Sequence, residues 1–471
     1  MKKVRFSCVV LATILMLCYA AVPAMGEEYH DLSVSSGCHS LDAKVPLLGT
    51  GQLITNASSV ILYETNTDTL MYCWNADEQI YPASLVKILT CLICVENGNM
   101  EDVVTVKQST LDTVDSDAVS VDLVEDEVIT VEDLLYCMMV SSANDAAAVL
   151  AEHIFGTQDA FVAQMNRYAA ELGCTATNFT NVHGLHNDNQ YTTVRDMARI
   201  LAAAIKNESF CKFFNETIYS VPKTNKSEER HLETGNYLMS TQEVEIYYDE
   251  RVTGGRTGAT AAGDRCVAST AAGNDLNYIS IIAGAKSVYE EGGTAVRSFG
   301  GFPETTQLLN AGFDGYYPAQ IIFPNEALRQ CAVLNGESQV IMAPKNEVST
   351  VLPAGVTLNS LRFDYSDNGE SLSAPIEKDA HLSTLEIWNG SICVGQADLY
   401  AMNDVSLAGG SENKPWNENR DGGGLGLLSV LGIIVGALFV FFLAFWLYRT
   451  ARIASIKNKN RRRRHNRRRN F

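Results

Sequence analysis

Positive charge is what this chain mostly lacks between its two ends. Of its 36 Lys+Arg, three fall in the first 26 residues and 11 after position 448, which leaves 22 against 55 Asp+Glu, a net of −33. So acidic a surface stays soluble and repels nucleic acid and anionic polymers, and it excludes a nucleic-acid-binding body. Internal repeats are absent. Closely spaced cysteines are scarce: Cys91-x-x-Cys94 has no second pair and no suitably placed histidine, so no metal site is expected. Long apolar runs are confined to the two ends.

Those ends predict a membrane address. Lys2, Lys3 and Arg5 precede a short apolar run over 8–22 and then Ala24-Met25-Gly26. This is the pattern of a signal peptide over residues 1–26, with an uncleaved anchor as the rival reading. A second apolar run, 425–448, carries no charge and at about 1.5 Å per residue is long enough to span a bilayer as a helix. The basic tail 449–471 follows, and the excess of Arg and Lys places it in the cytoplasm. The expectation is a single-pass protein of the cell membrane, its body outside and its C-terminal helix as the membrane partner. Ten cysteines would remain after cleavage. Some invite disulfides outside a cell, others lie in apolar runs as small hydrophobes, and their pairing stays open.

Within the body, 51–315 mixes strands and helices. Val60-Ile61-Leu62-Tyr63 and Leu70-Met71-Tyr72 flank the turn Asn66-Thr67-Asp68, which predicts a hairpin. Thr130 and Thr193 read as helix N-caps, and helices are expected from about Asp145 to Phe155 and from about Asp159 to Leu172. Tyr278-Ile279-Ser280-Ile281-Ile282 reads as a buried strand. Strands at both ends of a helical middle predict one α/β sandwich whose first and last strands share a sheet. From about 320 to 401 short β-rich runs alternate with turn residues and predict a small β domain. The Gly- and Asn-rich 409–424 reads as a flexible linker.

Chemistry is carried by three short motifs. Ser84 and Lys87 lie three residues apart, so on a helix the amine shares a face with the hydroxyl it would activate. Ser142-Ala143-Asn144 offers a hydroxyl and a carboxamide on a turn, though both residue types also favour plain helix caps. Arg256-Thr257-Gly258-Ala259 offers a cation, a hydroxyl and, at Gly258, a position without Cβ where a substrate backbone could lie close. A fourth stretch, Asn181-Val182-His183-Gly184-Leu185, reads as a shaped loop. His183 and His186 make a poor metal pair without a third ligand.

This ordered set resembles the penicillin-binding proteins and serine β-lactamases. Over 59–401 the chain more closely resembles the D-alanyl-D-alanine carboxypeptidases of peptidase family S11, adding Tyr191-Thr192-Thr193 with Asp196 and Ser373-Ala374-Pro375-Ile376. The resemblance implies a serine β-lactamase/transpeptidase-type sandwich, a small β-rich domain and a C-terminal membrane helix. It implies Ser84 as nucleophile toward the peptidoglycan stem peptide, Lys87 as proton acceptor, Ser142 as relay and Asn144 as holder of the peptide amide. Arg256 and Thr257 would bind the terminal carboxylate, and the N–H groups of Ser84 and Ala259 would form an oxyanion hole. No cofactor or metal is implied, and β-lactam antibiotics are expected to acylate Ser84. One residue departs: the family usually has Lys where Arg256 stands, and a forked guanidinium puts rate and pH dependence in question. Three rival readings stay open, a serine β-lactamase, a catalytically weak wall-binding protein and, within the same chemistry, an endopeptidase acting on cross-links. Against the first, the Glu-x-x-x-Asn loop of class A enzymes has no counterpart between Asn144 and Arg256.

Overall fold

A computed structural model describes residues 40–241, 244–289, 296–366 and 371–409. The expected signal peptide, membrane helix, basic tail and, but for Gly409, the linker lie outside these residues. Among the described residues no helix is long and apolar enough to cross a membrane.

A five-stranded antiparallel sheet organises the N-terminal half. Its strands are β1 (Ser59–Glu64), β2 (Thr69–Trp74), β3 (Val252–Thr260), β4 (Asp264–Gly273) and β5 (Leu276–Ala285), in the order β2-β1-β5-β4-β3. First and last strands do share the sheet: Ile61 pairs with Ile281 across β1 and β5. All six residues of β1 are buried, because both sheet faces are covered. One face, with Ile61, Ile279 and Ile281, packs on a helical layer. That layer comprises α1 (Val86–Asn97), α2 (Val131–Val140), α3 (Asn144–Phe155), α4 (Gln158–Glu171), α5 (Val194–Ala204) and α6 (Glu208–Phe214). The predicted caps form: Thr130 Oγ1 accepts the Asp133 N–H at 3.1 Å, and Thr193 Oγ1 accepts that of Asp196 at 3.0 Å.

The other face, with Leu62, Tyr278 and Ile282, packs on α7 (Phe302–Phe313) and on the C-terminal β region. That region begins at Tyr316, where Tyr316–Ile322 pairs with Val348–Pro353. A second five-stranded sheet follows, with His381–Asn389 and Ile392–Ala401 near its centre. Helix α7 was not anticipated; Pro303 sits in its first turn, where a missing N–H costs nothing. Cys91, Cys94, Cys137, Cys174 and Cys266 are buried free thiols. Burial raises their pKa, as expected of inert packing groups.

Candidate active site

The three motifs meet at β3, the edge strand. Ser84 lies in a single 3-10 turn, Ala83–Leu85, and Lys87 in the first turn of α1, so the pair straddles a helix junction rather than one helix. The turn is held from both sides. Ala83 takes φ +49°, a left-handed value for a residue with a Cβ. A Cβ on Gly184 would come within 2.0 Å of the Ala83 carbonyl oxygen, and one on Gly258 within 2.6 Å of the Ser84 nitrogen. Glycine at both positions lets the 181–185 loop and the edge strand press directly on the serine's backbone.

Lys87 is fully buried, and its Nζ lies 3.1 Å from Ser84 Oγ, 2.7 Å from Asn144 Oδ1 and 2.5 Å from the His183 carbonyl oxygen. Two of these partners can only accept. A neutral amine has two N–H bonds and one lone pair. Asn144 and His183 take the two N–H bonds, and the lone pair is left facing Ser84. Burial holds the Lys87 pKa well below the usual lysine range, helped by the positive charge of Arg256; the Asp145 carboxylate acts in the opposite direction. Ser142, at φ +67°, brings its Oγ to 3.1 Å from Ser84 Oγ. Strain of this kind in two neighbouring residues is typical of a site that surrounding packing over-determines.

Asn144 is committed. Its Nδ2 and its backbone N–H both donate to the Val119 carbonyl, at 2.9 and 2.8 Å. Asp145, buried and with its pKa raised by burial, accepts N–H bonds from Val121 and Leu123. The 119–123 segment is thereby fastened across the top of α3. His183, buried and neutral with its pKa pushed down to about 3, accepts the Leu185 N–H through Nδ1 and shapes its own loop.

Arg256 faces inward from β3. It is 4 % exposed, its Nη1 donates to the Met139 carbonyl at 2.5 Å, and Nε and Nη2 are buried without a partner. Burial lowers its pKa to about 10. As it stands, the guanidinium is closed off from the cleft and acts on it through its charge. Thr257 and Ala259 alternate to the opposite face and are half-buried and exposed. Beyond them the outer edge of β3 pairs with no strand among the described residues, which leaves backbone N–H and C=O groups for an extended peptide.

Of the eight predicted residues, Ser84, Lys87, Ser142 and Asn144 meet through side-chain hydrogen bonds and Gly258 abuts the Ser84 backbone, whereas Arg256 lies buried behind the strand and Thr257 and Ala259 stand on its other face. Sequence reasoning missed the His183 and Val119 carbonyls and the Asp145 carboxylate. Carbonyls carry no residue-type signal; Asp145 could have been noticed as an acid opening a helix beside the motif. Among the described residues no group of three or more His, Cys, Asp or Glu could hold a metal ion.

Two comparisons define the class. The crystal structure of penicillin-binding protein 5 from Haemophilus influenzae matches with a TM-score of 0.62 at 26 % identity, over 76 % of this chain and all of that one. The fold is therefore that of the penicillin-binding proteins. The family model for D-alanyl-D-alanine carboxypeptidase, peptidase family S11, matches residues 49–287, and the chain belongs to this family of serine hydrolases. Among relatives, the D-alanyl-D-alanine carboxypeptidase DacC of Escherichia coli is 29 % identical over 77 % of this chain and 87 % of its own length. DacF of Bacillus subtilis is 27 % identical over 76 % and 88 %.

Proposed function

We propose that the chain removes the terminal D-alanine from peptidoglycan stem peptides through an acyl-enzyme on Ser84. The observation that carries the assignment of roles is the three-way environment of Lys87 Nζ, which leaves a neutral amine one lone pair and aims it at Ser84 Oγ. The substrate lies along β3 as an added strand. Ser84 Oγ attacks the penultimate carbonyl while its proton passes to Lys87 Nζ. The oxyanion forms between the N–H groups of Ser84 and Ala259, and Gly258 allows that approach. Ser142 Oγ carries the proton from Lys87 to the departing D-alanine nitrogen, and water then releases the shortened peptide. Asn144 serves chiefly to orient Lys87. Arg256 supplies positive potential behind the strand, and Thr257 offers its hydroxyl to the terminal carboxylate. β-Lactams, which mimic the acylated dipeptide, stop at the same serine.

The body works outside the cell. Supporting this are the basic-then-apolar start over 1–26, the uncharged run 425–448 and the arginine-rich tail. Residues 409–424 would link the anchor to a body comprising a catalytic domain, 51–315, and a β-rich domain, 320–401.

The test is D-alanine release from diacetyl-Lys-D-Ala-D-Ala by the full chain in detergent, with stoichiometric labelling by a fluorescent penicillin. Release and labelling that both vanish in Ser84→Ala support the reading. Rapid turnover of a chromogenic cephalosporin without D-alanine release would make the chain a β-lactamase. Labelling without either reaction would leave a wall-binding protein.

A further inference from the structure

A carboxypeptidase must recognise a free C-terminal carboxylate, and Arg256 is sealed from the face on which Thr257 and Ala259 stand. A second cation stands on that face. Arg265 on β4 is the cross-strand partner of Ala259, and Thr257 pairs with Val267, so Arg265 is the diagonal neighbour of Thr257. Such diagonal positions have Cβ atoms about 7–8 Å apart on one face, a gap that a long side chain and a carboxylate close together.

The surroundings of Arg265 are unusual for this molecule. Arg195, Arg199, Arg230 and Arg251 each hold a carboxylate. Arg265 has no ion pair or hydrogen bond among the described residues. Its guanidinium instead lies over two rings, 5.2 Å from the centroid of Phe299 and 5.6 Å from that of Phe302. The hydroxyl-bearing rings of Tyr237, Tyr247 and Tyr289 are near enough to influence its charge. The ring faces attract the cation without supplying an acceptor, and no acceptor among the described residues meets its N–H fork. In a body with a net charge of −33, an arginine that meets no carboxylate among the described residues is poised for an anion that arrives from outside.

We propose that Arg265, with the Thr257 hydroxyl, receives the carboxylate of the substrate's last residue, and so restricts cleavage to free C-termini. This rests on the reading of β3 as the substrate strand and of Ser84 as nucleophile. Arg265 is a positioning residue that touches substrate away from the reacting atoms.

The test compares acylation of the full chain in detergent by benzylpenicillin and by its methyl ester, which lacks the carboxylate charge. Arg265→Met keeps a stem on the rings and removes the fork; Arg265→Lys keeps charge without the fork. The Met variant should lose about 10- to 100-fold in acylation rate with benzylpenicillin, the span of a charge-assisted hydrogen bond, and stay within about two-fold with the ester. The Lys variant should fall between. With diacetyl-Lys-D-Ala-D-Ala, KM should rise far more than kcat falls in the Met variant. An equal loss with both penicillins would show that Arg265 only supports the fold, and no loss with either would leave the carboxylate to Thr257; each overturns the proposal. If the unaltered chain is acylated by neither compound, the reading of Ser84 fails, and this one with it.

Discussion

The two halves of the described chain bury different things. The C-terminal β region closes over Val340, Met342, Val351, Leu385, Ile387, Val394 and Leu399, and among its described residues no Asp, Glu, Lys, Arg or His is buried with them. The helical half buries Lys87, Arg256, Asp145 and His183 around one serine. Burying an uncompensated charge costs several kcal/mol, so this arrangement makes poor sense as a stability device. It makes sense as a means of holding a lysine neutral. The β region shows what packing does when only the fold is at stake; the site shows packing used to choose a protonation state.

Breaking the site at its centre gives the largest effect. Ser84→Ala should lower penicillin acylation by more than roughly 10⁴-fold, as loss of a nucleophile does elsewhere, while the unfolding transition stays put. A labelled Ser84→Ala chain would end the comparison outright. Gly258→Ala comes next. The new Cβ would meet backbone, 2.6 Å from the Ser84 nitrogen and 3.3 Å from its Cα, which cannot yield without moving the turn. Displacing one oxyanion-hole donor costs about 10²- to 10³-fold in rate. Overpacking adds about 1–3 kcal/mol of destabilisation, measurable by denaturant titration. Acylation within a few-fold of the unaltered chain would mean that the edge strand does not press on Ser84 in solution.

Much of this was legible in the sequence, and what was not has a physical reason. The apolar run at Val60–Tyr63, the threonine caps and the three motifs each carry their signal in side-chain type, and the structure forms the caps and brings the motifs together. Backbone acceptors have no such signal, so His183 and Val119 could not be foreseen as the groups that fix Lys87 and Asn144. The inward turn of Arg256 was also hidden. Strand alternation predicts that Arg256 and Thr257 face opposite ways, but only the fold says which face is sealed. The outward Arg265 was hidden for the same reason.

Arg256 sharpens the comparison through pH. Its charge lowers the Lys87 pKa, although burial is the larger cause. The working amine is neutral, so the acylation rate rises as pH climbs through the Lys87 pKa. Arg256→Gln removes a cation, raises that pKa and should move the acid limb of the pH–rate profile to higher pH. The loss at neutral pH should stay below about 100-fold, since the base itself remains. His183, held near 3, stays neutral above that pH and supplies no competing limb. Arg256→Lys keeps the charge and should leave the limb nearly in place. A limb that does not move in Arg256→Gln would show that burial alone sets the lysine.

The smallest effect on chemistry belongs to the β region. Leu385 is fully buried there, and Leu385→Ala should cost about 2–5 kcal/mol of stability, read as a lower denaturant midpoint with an unchanged slope. Its core reaches the outer sheet face through Leu62, Tyr278 and Ile282, whereas Ser84 and Lys87 work from the inner face. Strain from the cavity would have to cross β1 and β5 to reach the serine, and those strands are pinned by backbone pairing from Ser59 to Glu64. The penicillin acylation rate of the folded protein should therefore match that of the unaltered chain. A slower rate at full folding would mean that the two regions are one mechanical unit, with the β region bracing the edge strand as well as the fold.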